Sequence, residues 1–169
     1  MLARLVCLAV LTLSASTARA QRPALYVEGG GASGLYAIGV EQRVFTSVNG
    51  AQHFGVRAGA GYWTERDVFS DGREAYGSAP LAATASFQLP RVPVRFEAAG
   101  GVVLALERFA VPRYNGQKLD LSALPFGEAA LRVAVARGLF VRGGAVVGGR
   151  HDFVAEGAVA PVLGVGVQL

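Results

Sequence analysis

The sequence predicts an all-β protein: an eight-stranded antiparallel up-and-down transmembrane β-barrel that follows a cleaved N-terminal signal peptide. Three observations predict this class. Glycine makes up 23 of the 169 residues, 52% of the residues are hydrophobic while only 17% are charged, and apolar and polar residues alternate along most of the chain. Each glycine costs about 1 kcal/mol in a helix interior, so its presence in almost every apolar stretch argues against a helical bundle. The low charge argues against disorder, and the length fits one domain.

Residues 1–20 have the features of a secretory signal peptide. An early Arg4 precedes an apolar run over residues 5–13, and Ala18-Arg19-Ala20 has the A-x-A form of a cleavage site. The apolar run is much shorter than the roughly 20 residues that a membrane-spanning helix needs, and charge or glycine interrupts every later segment. We therefore expect a signal peptide at 1–20, a barrel domain at 21–169 and no transmembrane helix.

Removal of the signal peptide would change the composition of the mature chain. Cys7 is the single cysteine and would leave with the signal, so no disulfide is expected. Arg4 and Arg19 would also leave, so that the 16 basic residues fall by two against 12 acidic ones. This small excess of positive charge gives no reason to expect nucleic acid as a partner.

Eight segments of alternating apolar and polar residues, separated by turn residues, are the predicted strands. They cover residues 24–30, 35–45, 54–65, 79–89, 94–107, 126–136, 139–149 and 159–169. The later connections alternate between short and long, which predicts antiparallel neighbours with short turns on one side of a membrane and long loops on the other. An unpaired sheet edge in lipid costs several kcal/mol per backbone group, so the first strand is expected to pair with the eighth. Both ends of the barrel chain would then be periplasmic.

The two faces of each predicted strand differ in chemistry. One face carries no charge, and its aromatic residues near strand ends fit the two girdles of a membrane barrel: Tyr36, Phe54, Tyr62, Phe87 and Phe96. Ten residues at about 3.3 Å each, tilted by about 40°, span roughly 25 Å, the height of an outer-membrane apolar band. A soluble barrel or half of a sandwich is the alternative. The polar face disfavours it, because small residues with balanced Arg and Glu suit a narrow lumen better than a solvated surface.

The polar face predicts what fills the barrel. An eight-stranded barrel is only wide enough for side chains to fill its interior, so the charges there need partners. The predicted lumen charges are Glu28, Glu41, Arg43, Arg57, Arg95, Glu97, Glu128, Arg132 and Arg142. We expect a paired Arg/Glu network that plugs the lumen. A narrow porin-like channel for small solutes or ions, gated through the same residues, is the alternative.

No catalytic, cofactor or metal site is predicted. Residues 29–34 fit the G-x-G-x-x-G pattern of dinucleotide-binding proteins, but a strand follows in place of a helix and no acidic residue lies about 20 positions later, so a tight turn is expected. His53, expected at a periplasmic turn, and His151, expected in the last outer loop, are too distant to form a ligand cluster. A lipid A-modifying barrel enzyme is the third interpretation. The chain lacks the close His-x-Ser pair that would support it.

The long outer connections are the remaining candidates for binding. Residues 66–78 and 108–125 mix charged and aromatic side chains, which suits contact with lipopolysaccharide or a partner surface and equally suits plain solvation. The candidate contact residues are Arg66, Phe69, Arg73, Tyr76, Arg113, Tyr114 and Lys118.

The chain from Ala24 to Leu169 resembles the small eight-stranded outer-membrane barrel family, which includes the membrane domain of outer membrane protein A and the opacity-type porin-like proteins. The resemblance rests on the signal peptide, the strand number, the alternation of faces and of loop lengths, and the final segment 162–169. In that segment the apolar residues of one parity resemble the family's assembly signal, which usually closes on an aromatic residue where this chain has Leu169.

The resemblance implies a location and a set of partners. The location is the bacterial outer membrane. The implied partners are outer-membrane lipid, lipopolysaccharide and, during biogenesis, the barrel-insertion machinery, and the implied state is a monomer. A structural or surface-interaction role without enzymatic activity follows from the architecture, because the resemblance includes no specific functional motif.

Overall fold

The computed structural model describes residues 23–33, 36–48, 50–66, 73–111, 116–149 and 159–169. The expected signal peptide at 1–20 lies outside these residues, so it stays a prediction, together with the domain division that depends on it. Among the described residues, no helix is long and apolar enough to cross a membrane.

Eight β-strands and one 3-10 turn, Gly31–Ser33, make up the described chain. The strands are β1 Ala24–Gly30, β2 Tyr36–Thr46, β3 Gln52–Arg66, β4 Arg73–Gln88, β5 Val94–Val111, β6 Gly116–Ala136, β7 Leu139–Gly148 and β8 Val159–Gln168. Each strand pairs antiparallel with the next, and β1 also pairs with β8, so the sheet closes into a barrel. The predicted fold class, strand number and closure are confirmed.

Four of the strands are longer than the alternation predicts. β3 and β4 stay paired as far as Arg66 and Arg73, and β5 and β6 as far as Val111 and Gly116. The expected loop boundaries at 66–78 and 108–125 are therefore wrong. Several residues expected in these loops belong to strands instead: Arg66, Arg73, Tyr76, Lys118 and Asp120.

The physical reason for this error is the environment of the strand ends. Beyond a membrane both faces of a strand meet water, so no apolar face is required and the alternation disappears. The β6 segment 116–124 includes Lys118 and Asp120 and still pairs with β5 along its whole length. Sequence patterning therefore detects the part of a strand that has one apolar and one polar face, and it misses the extension, where this contrast is absent.

The long strands give the barrel an uneven rim on the side opposite its termini. β7 ends at Gly148, opposite Phe126, whereas β6 continues over residues 116–125, about 33 Å of strand at about 3.3 Å per residue. The β3–β4 and β5–β6 hairpins thus project past the ends of the other strands. We call this projection the outer extension; it consists of residues 62–66, 73–77, 106–111 and 116–121.

Apolar side chains cover the outside of the barrel, as the parity predicts. Ile38, Leu163 and Val165, for example, are 61%, 68% and 48% exposed. The five aromatic residues predicted to face outward do so, with exposures between 42% and 59%: Tyr36, Phe54, Tyr62, Phe87 and Phe96.

These aromatics form two groups at different heights. On the outer side, the Tyr36 hydroxyl donates to the backbone carbonyl of Tyr62. Near the other end, Phe87 lies opposite Phe96 in the register and Phe54 lies on the neighbouring β3. Eight residues of β3 separate Phe54 from Tyr62, about 26 Å of strand, or about 20 Å along the axis at a tilt of about 40°. With the added reach of the rings, this separation suits an outer-membrane apolar band.

A β-bulge in β2 changes the face of its last residues. The register against β3 shifts between Arg43 and Phe45, so Val44 and Phe45 both face outward, with exposures of 62% and 56%. The Phe45 ring packs against Phe54 with 6.1 Å between centroids. Strict alternation would place Phe45 in the lumen. The bulge therefore adds Phe45 to the outward aromatic group that contains Phe54, Phe87 and Phe96.

His53 is a strand residue and not the turn residue that the sequence predicts. β3 begins at Gln52 because the hairpin before it closes early: the Ser47 amide donates to the Gln52 carbonyl at 2.9 Å, and the Gln52 amide donates to Ser47 Oγ at 3.0 Å. The His53 side chain consequently points inward. It is 8% exposed, and its Nδ1 lies 2.9 Å from Thr46 Oγ1.

Candidate functional site

The barrel lumen contains a buried cluster of charged side chains, which we call the central network. It consists of seven of the nine predicted lumen charges, supplied by six strands: Glu28 of β1, Glu41 of β2, Arg57 of β3, Glu97 of β5, Glu128 and Arg132 of β6, and Arg142 of β7. None of them is more than 8% exposed. Each lies on the parity opposite the outward apolar residues, and alternation alone therefore brings them together.

Arg142 is the centre of this network. Its Nη1 lies 2.8 Å from Glu28 Oε2 and its Nε lies 3.0 Å from Glu97 Oε2. It also forms an ion pair with Glu128. One guanidinium, with five N–H donors in a fixed plane, thus contacts carboxylates from three different strands.

Two further arginines extend the network on either side of Arg142. Arg57 pairs with both carboxylate oxygens of Glu128, at 3.3 Å from Nη1 to Oε1 and 2.6 Å from Nη2 to Oε2. Arg132 contacts Glu97, with 2.6 Å between Nε and Oε1, and it also pairs with Glu41. Ion pairs therefore run without a break from Arg57 through Glu128, Arg142, Glu97 and Arg132 to Glu41.

Burial explains why the network has to be paired. An isolated ion in a low-dielectric interior costs several kcal/mol, which only close partners and hydrogen bonds offset. All four glutamates of the network contact at least one arginine, and Glu97 and Glu128 each contact two. The arrangement can hold the barrel walls together across the lumen, since four of the six pairs join strands that are not neighbours, the exceptions being Arg142 with Glu128 and Arg132 with Glu97.

Two aromatic residues that the sequence analysis missed line the lumen beside the network. Tyr26 and Phe140 are 4% and 5% exposed. Each ring covers a glycine directly opposite it in the register: a Cβ on Gly39 would lie 2.2 Å from the Tyr26 hydroxyl oxygen, and one on Gly166 would lie 2.3 Å from Phe140 Cζ. An aromatic residue opposite a glycine on the lumen parity is a signal that could have identified both.

The same rings contact two arginines of the network. The Arg57 guanidinium carbon lies 5.7 Å from the Tyr26 ring centroid, and that of Arg132 lies 4.1 Å from the Phe140 centroid. A cation over an aromatic face gains about 0.5–2 kcal/mol, with the larger values at desolvated sites. The rings thus fix the arginines as well as filling space.

An apolar cluster fills the lumen on the outer side. Val103, Val146 and Val162 are the largest side chains that are fully buried, and Phe126 packs with the first two. The 3-10 turn after β1 folds inward, so that Ala32 joins this cluster at 2% exposure. Gly30 and Gly31 permit the turn because both have positive φ, 71° and 72°, a conformation that glycine adopts without strain.

The two remaining predicted lumen charges, Arg43 and Arg95, lie at the opposite mouth of the barrel. They are half-buried and line a cavity of about 110 Å³ together with Gln88, Gln168 and turn residues. Arg43 Nη2 donates to Gln168 Oε1 at 3.4 Å. All nine lumen residues predicted from the sequence therefore face the interior, seven in one network and two at its end.

The outer binding candidates are only partly described. Phe69, Arg113, Tyr114 and His151 lie outside the described residues. The register places Arg66 opposite Arg73 at the tip of the β3–β4 hairpin, and Lys118 opposite Phe109 on the β5–β6 hairpin. Tyr76 is half-buried on β4. Within the described part of the chain, no three His, Cys, Asp or Glu side chains are grouped to hold a metal ion.

Comparisons with known proteins give structural likeness without sequence likeness. No protein-family model matches the sequence. No curated protein matches it either. Solved structures do match, but their sequence identity to this chain is so low that the matches bear on the fold alone.

Three of these structures are small outer-membrane barrels. The attachment invasion locus protein Ail of Yersinia pestis, in complex with the heparin analogue sucrose octasulfate, has a TM-score of 0.59 and 8% identity over 88% of this chain and 96% of its own. The N-terminal barrel of Pseudomonas aeruginosa OprF has a TM-score of 0.55 and 15% identity over 89% and 97%. Neisserial surface protein A has a TM-score of 0.51 and 13% identity over 89% and 96%. The chain therefore has the fold of the small eight-stranded outer-membrane barrels.

Proposed function

We propose that this chain, a barrel of the outer-membrane type, is an integral outer-membrane protein with a structural or surface-interaction role and a lumen that does not conduct. The observation that carries the proposal is the central network, in which ion pairs run across the lumen from Arg57 to Glu41. The alternative to a closed lumen is a narrow ion channel that is lined by the same charged residues.

The filling of the lumen favours closure over conduction. An ion that entered from the rim would have to pass the apolar cluster that includes Val103, Phe126 and Val146, whose side chains have no polar atom to replace its hydration shell. It would then have to separate buried Arg–Glu pairs, and breaking such a pair costs about 3–5 kcal/mol. Two barriers of different chemistry thus lie in series.

The outer surface supports the membrane location. Apolar side chains face outward all around the barrel, and aromatic residues lie near both ends of the apolar band. In this proposal the chain contacts outer-membrane lipid directly, residues 1–20 direct its export and are removed, and the barrel-insertion machinery folds it into the membrane as a monomer.

A non-catalytic role fits the described polar groups. The buried His53 ring contacts the Thr46 hydroxyl, and the serine–histidine–acid arrangement of a hydrolase is not found among the described residues. The seven charged side chains of the central network pair with one another and are buried, so they do not converge on an accessible cleft. These features support a binding or structural protein over the lipid A-modifying enzyme.

The outer extension is the proposed surface for interaction. It projects beyond the shorter strands, and its sequence brings the basic residues Arg66, Arg73 and Lys118 to the tips of the two hairpins. One structural neighbour, Ail, has been solved with a sulfated heparin analogue. By analogy, we propose that the extension contacts anionic groups of lipopolysaccharide or of a partner surface.

Ion flux in proteoliposomes tests the closed lumen. The folded protein is reconstituted into vesicles that carry a potassium gradient, beside Arg142→Ser in the network and Arg137→Ser at an exposed turn. We expect the wild type and Arg137→Ser to hold the gradient, because both barriers are intact. Arg142→Ser should lose it faster than they do, because only the apolar cluster then opposes the ion. Rapid loss of the gradient in wild-type vesicles, with folding confirmed on the same sample, would favour the channel.

A second experiment tests the surface role. Arg66, Arg73 and Lys118 are replaced together by Gln, and binding of the folded protein to lipopolysaccharide is compared with the wild type. The expected result is weaker binding, and the control replaces the two exposed arginines of turns at the opposite end, Arg91 and Arg137, by Gln. Equal binding by all three proteins would remove the outer extension as the contact surface.

A further inference from the structure

The periplasmic mouth of the barrel holds a cavity whose chemistry the central network does not explain. Its volume is about 110 Å³, several times the roughly 30 Å³ that one water molecule occupies in the liquid. Arg43, Arg95, Gln88 and Gln168 supply polar groups to it, and Arg132 closes its inner end. Pro93, Leu139 and Phe140 form an apolar side.

The balance of charge in the lumen leaves this mouth positive. Five arginines and four glutamates of the described chain face the interior. All four glutamates already contact Arg57, Arg132 or Arg142. The two remaining arginines, Arg43 and Arg95, have no carboxylate within ion-pair distance among the described residues.

Arg95 is the more unusual of the two. Its Nε is buried and donates to no acceptor in the described part of the chain. A buried donor left unsatisfied costs about 1–3 kcal/mol, and more when the group is charged. The strand register adds a second energetic cost to burying Arg95. Arg95 lies directly opposite Arg132, and Arg132 lies opposite Arg142 on its other side. Like charges at directly opposite positions repel.

The lumen itself cannot relieve Arg95. Glu97, two residues along β5, already contacts Arg132 and Arg142, and Glu41 contacts Arg132. Turning either carboxylate toward Arg95 would break a buried pair. A negative charge for Arg95 must therefore come from outside the barrel wall, through the cavity that Arg95 lines.

We propose that Arg43 and Arg95 form a binding site for one oxyanion, a phosphate or carboxylate group, at the periplasmic mouth. A guanidinium presents two parallel N–H donors that match both groups, and both arginines line the same cavity. The Gln88 amide donates to the carbonyls of Val92 and Val94 at 2.8 and 3.1 Å, which holds the β4–β5 turn at the rim of the site. The apolar side formed by Pro93, Leu139 and Phe140 suits a short organic portion attached to the anion.

Calorimetric titration with inorganic phosphate tests the site. The full chain, folded in a zwitterionic detergent, is titrated at constant ionic strength set with sodium chloride. We expect saturable binding of one phosphate per barrel, weakened at least tenfold in Arg95→Gln and in Arg43→Gln. Arg137→Gln, which removes the same charge from an exposed periplasmic turn, is the matched control and should bind as the wild type does.

Stability separates loss of the site from loss of the fold. Because Arg95 has no carboxylate partner among the described residues and its buried Nε is unsatisfied, Arg95→Gln should be at least as stable as the wild type without phosphate. Phosphate should raise the melting temperature of the wild type and of Arg137→Gln but not that of Arg95→Gln. Absence of saturable binding at millimolar phosphate overturns the site. Equal weakening in Arg137→Gln also overturns it, because the effect would then be general charge screening.

The source of the anion is a separate arm of the same experiment. The titration is repeated in phosphatidylcholine nanodiscs with and without phosphatidylglycerol. Weaker apparent phosphate binding in the presence of the anionic lipid identifies a lipid headgroup as occupant, and unchanged binding identifies a soluble anion. The result is independent of the proposed function, because the ion-flux assay reports on the central network whether or not the mouth binds an anion.

Discussion

Replacement of Arg142 by Met should strongly destabilise the barrel, because Arg142 has more carboxylate partners than either of the other arginines of the central network. Arg142 contacts Glu28, Glu97 and Glu128 and is 3% exposed. Without it, Glu97 still contacts Arg132 and Glu128 still contacts Arg57, but Glu28 has no other ion pair among the described residues. One buried carboxylate is left unpaired, which costs about 3–5 kcal/mol.

Equilibrium unfolding in urea measures this loss, with the protein folded in phospholipid vesicles and followed by the fluorescence of its single tryptophan. The exposed Arg137→Met control should stay within about 0.5 kcal/mol of the wild type. Adding Glu28→Gln to Arg142→Met removes the unpaired charge, and we expect it to recover about 1–3 kcal/mol. A loss below about 1 kcal/mol for Arg142→Met, or a double variant no more stable than the single one, would refute the role assigned to Arg142.

Two other predictions concern the lumen packing and the outer face. Gly39→Ala should destabilise the barrel by about 1–3 kcal/mol, because the added Cβ would overlap the Tyr26 ring. Gly100→Ala should be tolerated, because a Cβ there has no neighbour closer than 3.9 Å. Thermal unfolding compares the two variants, and equal stability would contradict the packing of Tyr26 against Gly39. Val165→Arg on the outward face should cost about 2–4 kcal/mol in a bilayer, whereas Val48→Arg in the exposed turn between β2 and β3 should cost little. Urea unfolding from vesicles checks this pair, and an unaffected Val165→Arg would argue for a water-exposed barrel face.

Alternation predicts from sequence the part of each strand whose two faces differ, because the inward face meets the lumen and the outward face is apolar. It gives the strand number, the closure and the inward position of all nine lumen charges, Glu28 through Arg142. It fails where the surroundings are the same on both faces, as at Arg73 and Lys118 in the outer extension. It also fails at the β2 bulge, where one extra residue turns Phe45 outward.

The partners within the network could not be predicted in the same way. Arg57 lies opposite Glu41 in the register, so a cross-strand pair would be the natural expectation, yet the ion pairs of Arg57 reach across the lumen to Glu128. Such pairs depend on the register around the whole closed sheet and on side-chain length. The inward fold of the 3-10 turn at Ala32 has a similar origin, because only the closed barrel provides the apolar cluster that it joins.

The most direct test of a closed membrane barrel combines two readings on one sample. The folded protein is first run on a gel with and without heating, and the same preparation is then inserted into a planar bilayer for single-channel recording. A heat-dependent change in mobility without steady conductance is the predicted result, because the barrel is intact and its lumen is filled. Stable conductance steps from a heat-modifiable sample would contradict the closed lumen, and unchanged mobility in several detergents would contradict the membrane barrel.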